Sequence, residues 1–267
     1  MTALASPIGT LRTSVGRFWH RYIYRNTFAI IASVGALFAV FTTLAMLLYP
    51  GGTIPVASTH GYRFFMNFFS DLGQVHTQSG ASNYPSMVLF VAAMTVAGIG
   101  VGVFFLAFAR FFASRSTSPW ARRVNLLATL MGLGAAICFI GVGATPHDLF
   151  LHQHVVVTQW AFRLLMTAVI LEIASIRLTR GIPASLLRVN VAFVIILLGY
   201  LVLMFFGPSN GNLIGTEINV VGQKVIVYAS LGTIFIQSLL VRAYIAEPLP
   251  TLAEVRDGAD AQSHDAR

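Results

Sequence analysis

Polar residues that could bind a ligand or carry out acid–base chemistry are concentrated in one stretch of an otherwise apolar chain, residues 63–90. The side chains in it that carry charged, amide, hydroxyl or imidazole groups include Arg63, Asn67, Ser70, Asp71, His76 and Asn83. Ser70-Asp71-Leu72-Gly73 precedes Pro85-Ser86, a pair typical of a helix start. Because so apolar a chain has few polar residues, this cluster marks the predicted functional site.

Asp71, Asp148 and His152 are predicted to act as acid–base or ligand groups. His152 follows Asp148 by one helical turn, and we expect all three to converge, because a carboxylate at a membrane boundary is stabilised by a nearby donor or cation. Protonation of His152 would then make ligand binding depend on pH between roughly 5 and 8. Ser70, with Asp71 and a histidine, could form a nucleophilic set; alternatively, Ser70 or Asp71 caps a helical turn.

Two cations within predicted membrane spans could bind an anionic ligand. Arg163 and Lys224 lie at a similar predicted depth of about 10 to 13 Å, and we expect both to face the bundle interior, because exposing charge to lipid costs several kcal/mol. The alternative is that they pair with acidic residues and hold the bundle together. Glu172, on the opposite helix face, is expected to meet Arg177 or Arg188. The predicted ligand-binding residues are Arg163, Lys224, Asn67, Gln159, Glu217 and Tyr228.

Three histidines around Asp148 raise the hypothesis of a metal site, with His147, His152 and His154 as candidate ligands. Their spacing matches no standard zinc signature, and His152 and His154 project to opposite sides of a helix. Hydrogen-bonding histidines are therefore favoured and no metal is predicted. The single cysteine, Cys138, excludes a disulfide within the chain, and the sequence assigns no cofactor.

The elements that must position these residues are apolar helices. The chain of 267 residues is 56% hydrophobic and 10% charged, with a mean hydropathy of +0.76, which is a membrane composition. Because lipid offers no hydrogen-bond partners, apolar runs of about 20 residues are predicted to cross it as helices. The fold class is all-α, a bundle of six transmembrane helices at 28–49, 87–108, 124–144, 155–176, 189–206 and 218–241.

The distribution of arginine predicts the orientation of the bundle. Segment 1–27 holds four arginines, the second loop (110–123) four and the fourth loop (177–188) three, whereas the first loop holds one and the third (145–154) and fifth (207–217) hold none. By the positive-inside rule both termini are cytoplasmic, in a multi-pass protein of the plasma membrane. The net charge of +8 reflects these loops, so nucleic acid is not a predicted partner.

The chain divides into a basic cytoplasmic segment at 1–27, a transmembrane domain at 28–242 and an acidic cytoplasmic tail at 243–267 that is predicted to be disordered. Gly98 and Gly102, four positions apart, predict close packing of the second and third helices or, alternatively, a contact between two copies. The predicted partner is membrane lipid, and a second copy of the chain, in a homo-oligomer, stays an alternative partner.

Three motifs together resemble the bacterial membrane family called domain of unknown function 998. They are Ser70-Asp71-Leu72-Gly73, Pro85-Ser86-x-x-Leu89-Phe90 and Pro146-x-Asp148-x-x-x-His152. The chain is similar, more distantly, to six-helix proteins of the Frag/DRAM/Sfk type, over about residues 28–242. A basic residue near the start of the last helix belongs to the family pattern; Lys224 would fill it, where arginine is more usual. Because the distant relatives are linked to lipid remodelling and membrane trafficking, the resemblance implies a connection with lipid.

We therefore expect an integral membrane protein with an outward-facing polar pocket that binds or remodels lipid or another anionic amphiphile. The alternative is a non-enzymatic binding or assembly protein whose polar cluster is structural, and the sequence leaves open whether the chain is an enzyme. A transporter is disfavoured, because the inner halves of the predicted helices lack a polar lining and no span is broken in mid-membrane.

Overall fold

The computed structural model describes residues 7–116 and 118–246, with side chains described for 26–116 and 118–245. Six long helices follow one another: α1 (Pro7–Leu48), α2 (Tyr84–Ala113), α3 (Pro119–Ala144), α4 (Leu151–Leu178), α5 (Ala184–Phe206) and α6 (Leu213–Ala246). One 3₁₀ turn, Phe69–Gly73, lies between α1 and α2. Since these described ranges contain only two isolated β-bridges and no strand, the all-α prediction is confirmed.

The two predicted terminal segments are only partly covered. Segment 1–27 has its side chains outside the described residues as far as residue 25. The predicted tail begins at 243, but α6 continues to Ala246, and residues 247–267 lie outside the described part.

Within the described residues, five helices are long and apolar enough to cross a membrane: α1 from Asn26 to Leu48, and α2, α3, α5 and α6. Their mean hydropathies run from 1.7 to 2.7. α4 is comparably long at 28 residues, but it carries Arg163, Glu172 and Arg177 and is not among the five. The described part of the chain is all-helical, and its long apolar helices are consistent with an integral membrane protein.

The helices close into a ring in chain order. Each packs against the next, and α6 returns to pack against α1. Because lipid gives no hydrophobic drive for helices to associate, the shape of the contacts holds them together. Aromatic rings that meet edge to face contribute to these contacts. The distances between ring centroids are 5.6 Å for Phe28 and Phe108, 5.5 Å for Phe139 and Phe162, and 4.8 Å for Phe162 and Tyr200.

The ring has two chemically different ends. We call the end that carries the segments 49–83, 145–150 and 207–212 the polar end, and the end that carries 114–118 and 179–183 the basic end. At the polar end, the long segment 49–83 folds back over the helices and is anchored by Phe69 and Leu72, which pack with Tyr49 and Phe90. Asn83 fastens it to the start of α2 by donating its amide to the carbonyls of Leu72 (3.0 Å) and Gln74 (2.9 Å).

Small residues bring α2 and α3 together, as the sequence predicts. A Cβ at Gly98 would lie 2.7 Å from the carbonyl oxygen of Ala136 on α3, and a Cβ at Gly102 would lie 3.6 Å from the Ala136 Cβ. The glycine pair therefore serves packing within one chain.

Gly98→Ala is expected to lower the free energy of unfolding by about 1–3 kcal/mol, because the new methyl group would push against the backbone of α3. Thermal unfolding of the purified protein in detergent measures this loss. Gly199→Ala on α5 is the matched control, since no atom lies within 4 Å of the added Cβ. Equal unfolding temperatures for the two variants would contradict the prediction.

Candidate functional site

Asp71 is the centre of the polar end. It is fully buried, and both of its carboxylate oxygens are bonded. Oδ2 accepts from the backbone N–H of Phe68 and from the side-chain amide of Asn67, each at 2.9 Å. Oδ1 lies 3.2 Å from Nε2 of His147. The Phe68 bond caps the 3₁₀ turn, which is the structural role that the sequence offered as an alternative for this residue.

Asp148 links segment 145–150 to segment 49–83. It is exposed, and its carboxylate accepts from the backbone N–H groups of Val75 (3.1 Å) and His76 (2.9 Å). Both predicted aspartates therefore link segment 49–83 to segment 145–150. His152 departs from the expected convergence, because it is exposed in the first turn of α4. The histidine that meets Asp71 is His147, which precedes the helix.

Lys224 faces the bundle interior, as predicted, with 3% of its surface exposed. Its ammonium donates to the backbone carbonyl of Asn67 and lies 4.9 Å from the ring centroid of Phe64 and 5.3 Å from that of Phe69. Carbonyl and aromatic faces thus hold this cation, and the charge of Asp71 acts on it through space.

Asn67 is committed to the internal network of the polar end. Its amide donates to the carbonyl of Gly52 (2.8 Å) as well as to Asp71, and its side-chain oxygen accepts from the backbone of Arg63 (2.9 Å). The Tyr62 hydroxyl donates to its backbone carbonyl at 3.0 Å. Burial, and then the charge of Asp71, raise the pKa of the Tyr62 phenol well above its usual value, so that it stays a neutral donor. Asn67 is therefore placed to support Asp71 rather than to meet a ligand.

Arg163 does not join this cluster. It is half-buried, and its guanidinium lies over the rings of Trp160 (5.5 Å to the centroid) and Phe205 (4.6 Å), which are 50% and 39% exposed. Arg163 is therefore less buried than Lys224, and the faces of two aromatic rings, on α4 and α5, shield its charge.

The remaining predicted ligand residues separate into two groups. Glu217 is exposed, and Tyr228 is 45% exposed with its ring 5.7 Å from that of Phe69. Gln159 and Ser70 are half-buried and line a common pocket.

This pocket lies at the polar end between the 3₁₀ turn, α4, α5 and α6, and its volume is about 390 Å³. Ligand sites commonly start at about 300 Å³, so a headgroup with part of a chain fits. Its polar wall includes Ser70, His147, His154, Gln159, Asn219 and Gln223. Its apolar wall includes Leu151, Val155, Leu203 and Met204.

His147 connects the pocket to the buried carboxylate. It lines the pocket and is 14% exposed, while Asp71 behind it is fully buried. When Nε2–H is donated to Asp71, Nδ1 is an acceptor in the neutral ring and a second donor in the protonated ring. A carboxylate that orients an imidazole in this way can serve ligand binding or proton transfer.

The histidines do not assemble a metal centre. Within the described ranges, no group of three or more His, Cys, Asp or Glu side chains is placed to hold a metal ion. His147 and His154 are neighbours, with ring centroids 5.5 Å apart, but Nδ1 of His154 lies 2.7 Å from the carbonyl oxygen of Thr145 and is occupied there.

Two residues outside the predicted ligand-binding set contribute to the site. Gln223 accepts from the backbone N–H of Phe69 at 2.7 Å, which ties α6 to the 3₁₀ turn. Asn219, one turn earlier, donates to the carbonyl of Pro208 at 2.7 Å and lines the pocket. Amides on the polar side of an apolar helix are the sequence signal that could have found both.

A second polar group lies in the half of the bundle nearer the basic end, where the sequence predicted no polar lining. Glu172 is 2% exposed and neither carboxylate oxygen has a hydrogen-bond partner, so the predicted contact with Arg177 or Arg188 is wrong. Asn190 on α5 and Gln237 on α6 bond each other through both amides, at 3.0 and 3.3 Å. The absence of a polar lining therefore no longer argues against transport.

Comparisons of the chain with family models, with curated proteins and with solved structures found no match. Function must therefore be argued from the geometry of the chain itself.

Proposed function

We propose that this chain is a six-span protein of the plasma membrane whose outward-facing pocket binds lipid or another anionic amphiphile. The observation that carries the proposal is the position of His147, which lines a pocket of about 390 Å³ while the buried Asp71 orients its imidazole. Membership of the family called domain of unknown function 998 belongs to the proposal, supported by the Ser70-Asp71 turn and by Lys224 near the start of α6.

The two walls of the pocket support an amphiphile as the ligand. His147, Gln159 and Asn219 offer hydrogen-bonding groups for a headgroup. Val155 and Leu203, on α4 and α5, offer an apolar surface for the first part of a chain. A molecule that carries both polar and apolar groups would match this mixed lining.

A second candidate function is a non-enzymatic assembly protein whose polar end is a clasp. The contacts of Lys224 and Asp148 favour it, because both side chains bind backbone groups of segment 49–83. In this case the network would only hold the loop on the bundle, and the pocket would have no specific ligand.

Binding of an anionic single-chain lipid separates the two candidates. If the pocket selects an anionic amphiphile, lysophosphatidylglycerol added to the protein in neutral detergent should raise the unfolding temperature more than zwitterionic lysophosphatidylcholine does. The reason is that a ligand stabilises the folded state to which it binds. Gln159→Leu should weaken the affinity roughly 2- to 12-fold, the equivalent of one lost hydrogen bond of about 0.5–1.5 kcal/mol. Gln153→Leu, at an exposed position on the same helix, is the matched control. Equal shifts for both lipids, or equal affinities for both variants, would favour the clasp.

The orientation can be tested separately. A reporter that is active only in the cytoplasm, fused after Ala81 or Leu149, is expected to be silent, whereas fusion after Gly181 at the basic end should give strong activity. Strong activity after Ala81 or Leu149 would invert the topology, and the pocket would then face the cytoplasm.

A further inference from the structure

The ring of helices encloses a second cavity, separate from the pocket at the polar end. Side chains from all six helices line it, and its volume is about 70 Å³. Glu172 is on its wall, in the half of the bundle nearer the basic end. This site does not depend on the proposed function, because the two cavities share no lining residue.

Glu172 is the one titratable residue that lines the cavity in the described part of the chain. The surfaces that α1, α2, α3, α5 and α6 contribute carry apolar, hydroxyl and amide groups and no acid or base. Both oxygens of the Glu172 carboxyl are buried without a hydrogen-bond partner. Since an isolated carboxylate in so apolar a place is very unfavourable, a proton or another cation must neutralise it.

The walls favour an ammonium group over a metal ion. Phe104, Phe105, Phe139 and Phe162 surround the cavity, and aromatic faces attract cations that carry little water. A hard metal ion needs several oxygen ligands. Besides Glu172, three oxygen-bearing side chains line the wall, those of Ser230, Thr233 and Gln237, and the amide of Gln237 is already bonded to Asn190.

The size of the cavity limits the cation. With a volume of about 70 Å³ the cavity is small, which suits ammonium or a methylamine.

We propose that this second cavity is a binding site for a small protonated amine, which takes the place of the proton on Glu172. The amine arrives with one positive charge, the carboxyl releases one proton to the solvent, and an ion pair remains in the cavity. Because one carboxylate cannot be neutralised twice, the proton and the amine compete. Binding is therefore linked to pH.

Methylammonium chloride added to the purified protein in weakly buffered detergent tests this. We expect saturable release of up to one proton per chain, followed with a pH dye. Under conditions where Glu172 is protonated, the apparent affinity should rise close to tenfold for each pH unit. Sodium chloride and potassium chloride at the same ionic strength should release no protons. A pH-independent affinity, or equal release by sodium or potassium, would overturn the assignment to an ammonium ion.

E172Q provides the second measurement, because glutamine keeps the shape of the side chain and cannot ionise. We expect it to lose both methylammonium binding and proton release, while E217Q, at an exposed acid on α6, retains both. The thermal unfolding temperature of each variant shows whether it is folded. The pH dependence of methylammonium binding is measured on the wild type, so it tests the proposal even if a variant does not fold. Unchanged binding in folded E172Q would refute the proposal.

Discussion

Asp71→Ala is expected to remove most of the folded protein from the membrane. The substitution leaves the amide of Asn67, the backbone N–H of Phe68 and the imidazole of His147 without their shared acceptor in a fully buried position. Breaking a buried charged network by removing one member costs about 3–5 kcal/mol, a large part of the stability of an ordinary domain. Chromatography of detergent extracts, with thermal unfolding of whatever remains, measures the loss.

Two further variants make the Asp71 prediction specific. Asp71→Asn keeps an oxygen for the donors from Asn67 and Phe68 and changes only the side that meets His147, so a much smaller loss is expected. Glu217→Ala, at an exposed acid, should change the free energy of unfolding by no more than about 0.5 kcal/mol. If Asp71→Ala were as stable as Glu217→Ala, the network would not hold the polar end together.

Lys224→Met should also be destabilising, although methionine suits a membrane helix. The variant removes a buried cation on which the charge of Asp71 acts, and it removes the donor to the carbonyl of Asn67. We expect a loss of about 1.5–3 kcal/mol, because the carbonyl of Asn67 loses a charged donor in a buried position. Arg163→Met is the matched control. That cation rests on exposed rings, and its loss should cost about 1 kcal/mol.

The energetic coupling between Asp71 and Lys224 can be measured directly. If Asp71 and Lys224 stabilise each other, the double variant Asp71→Asn with Lys224→Met should cost less than the two single losses added together, by about 0.5–3 kcal/mol. Simple additivity would mean that Lys224 acts only through Asn67 and the aromatic rings around it.

The sequence predicted the helices and the gathering of polar residues at one end of the bundle, for physical reasons. Apolar runs of membrane-spanning length can form little else in lipid, and Gly98 sits four positions from Gly102, where close packing needs it. The concentration of polar residues around Asp71 marks the polar end, because a buried carboxylate requires donors nearby.

The partners within the site could not be predicted in the same way. Whether His147 or His152 meets Asp71 depends on where α4 begins, and a start at Leu151 turns His152 outward. Helical phase placed Arg163 on the same face as Gln159, but phase alone does not say that the guanidinium lies over Trp160 and Phe205. Glu172 was misassigned because sequence gives no view of what lies across the ring from it.

The closed order of the ring has a consequence for biosynthesis. Helices leave the ribosome from α1 to α6, and each new helix finds its neighbour already present, except that the seam between α1 and α6 must wait for the end of the chain. The same last helix brings Lys224 and Gln223 to segment 49–83. Until α6 has been inserted, segment 49–83 lacks both of these contacts, so a chain truncated before α6 would expose an incomplete polar end to membrane proteases.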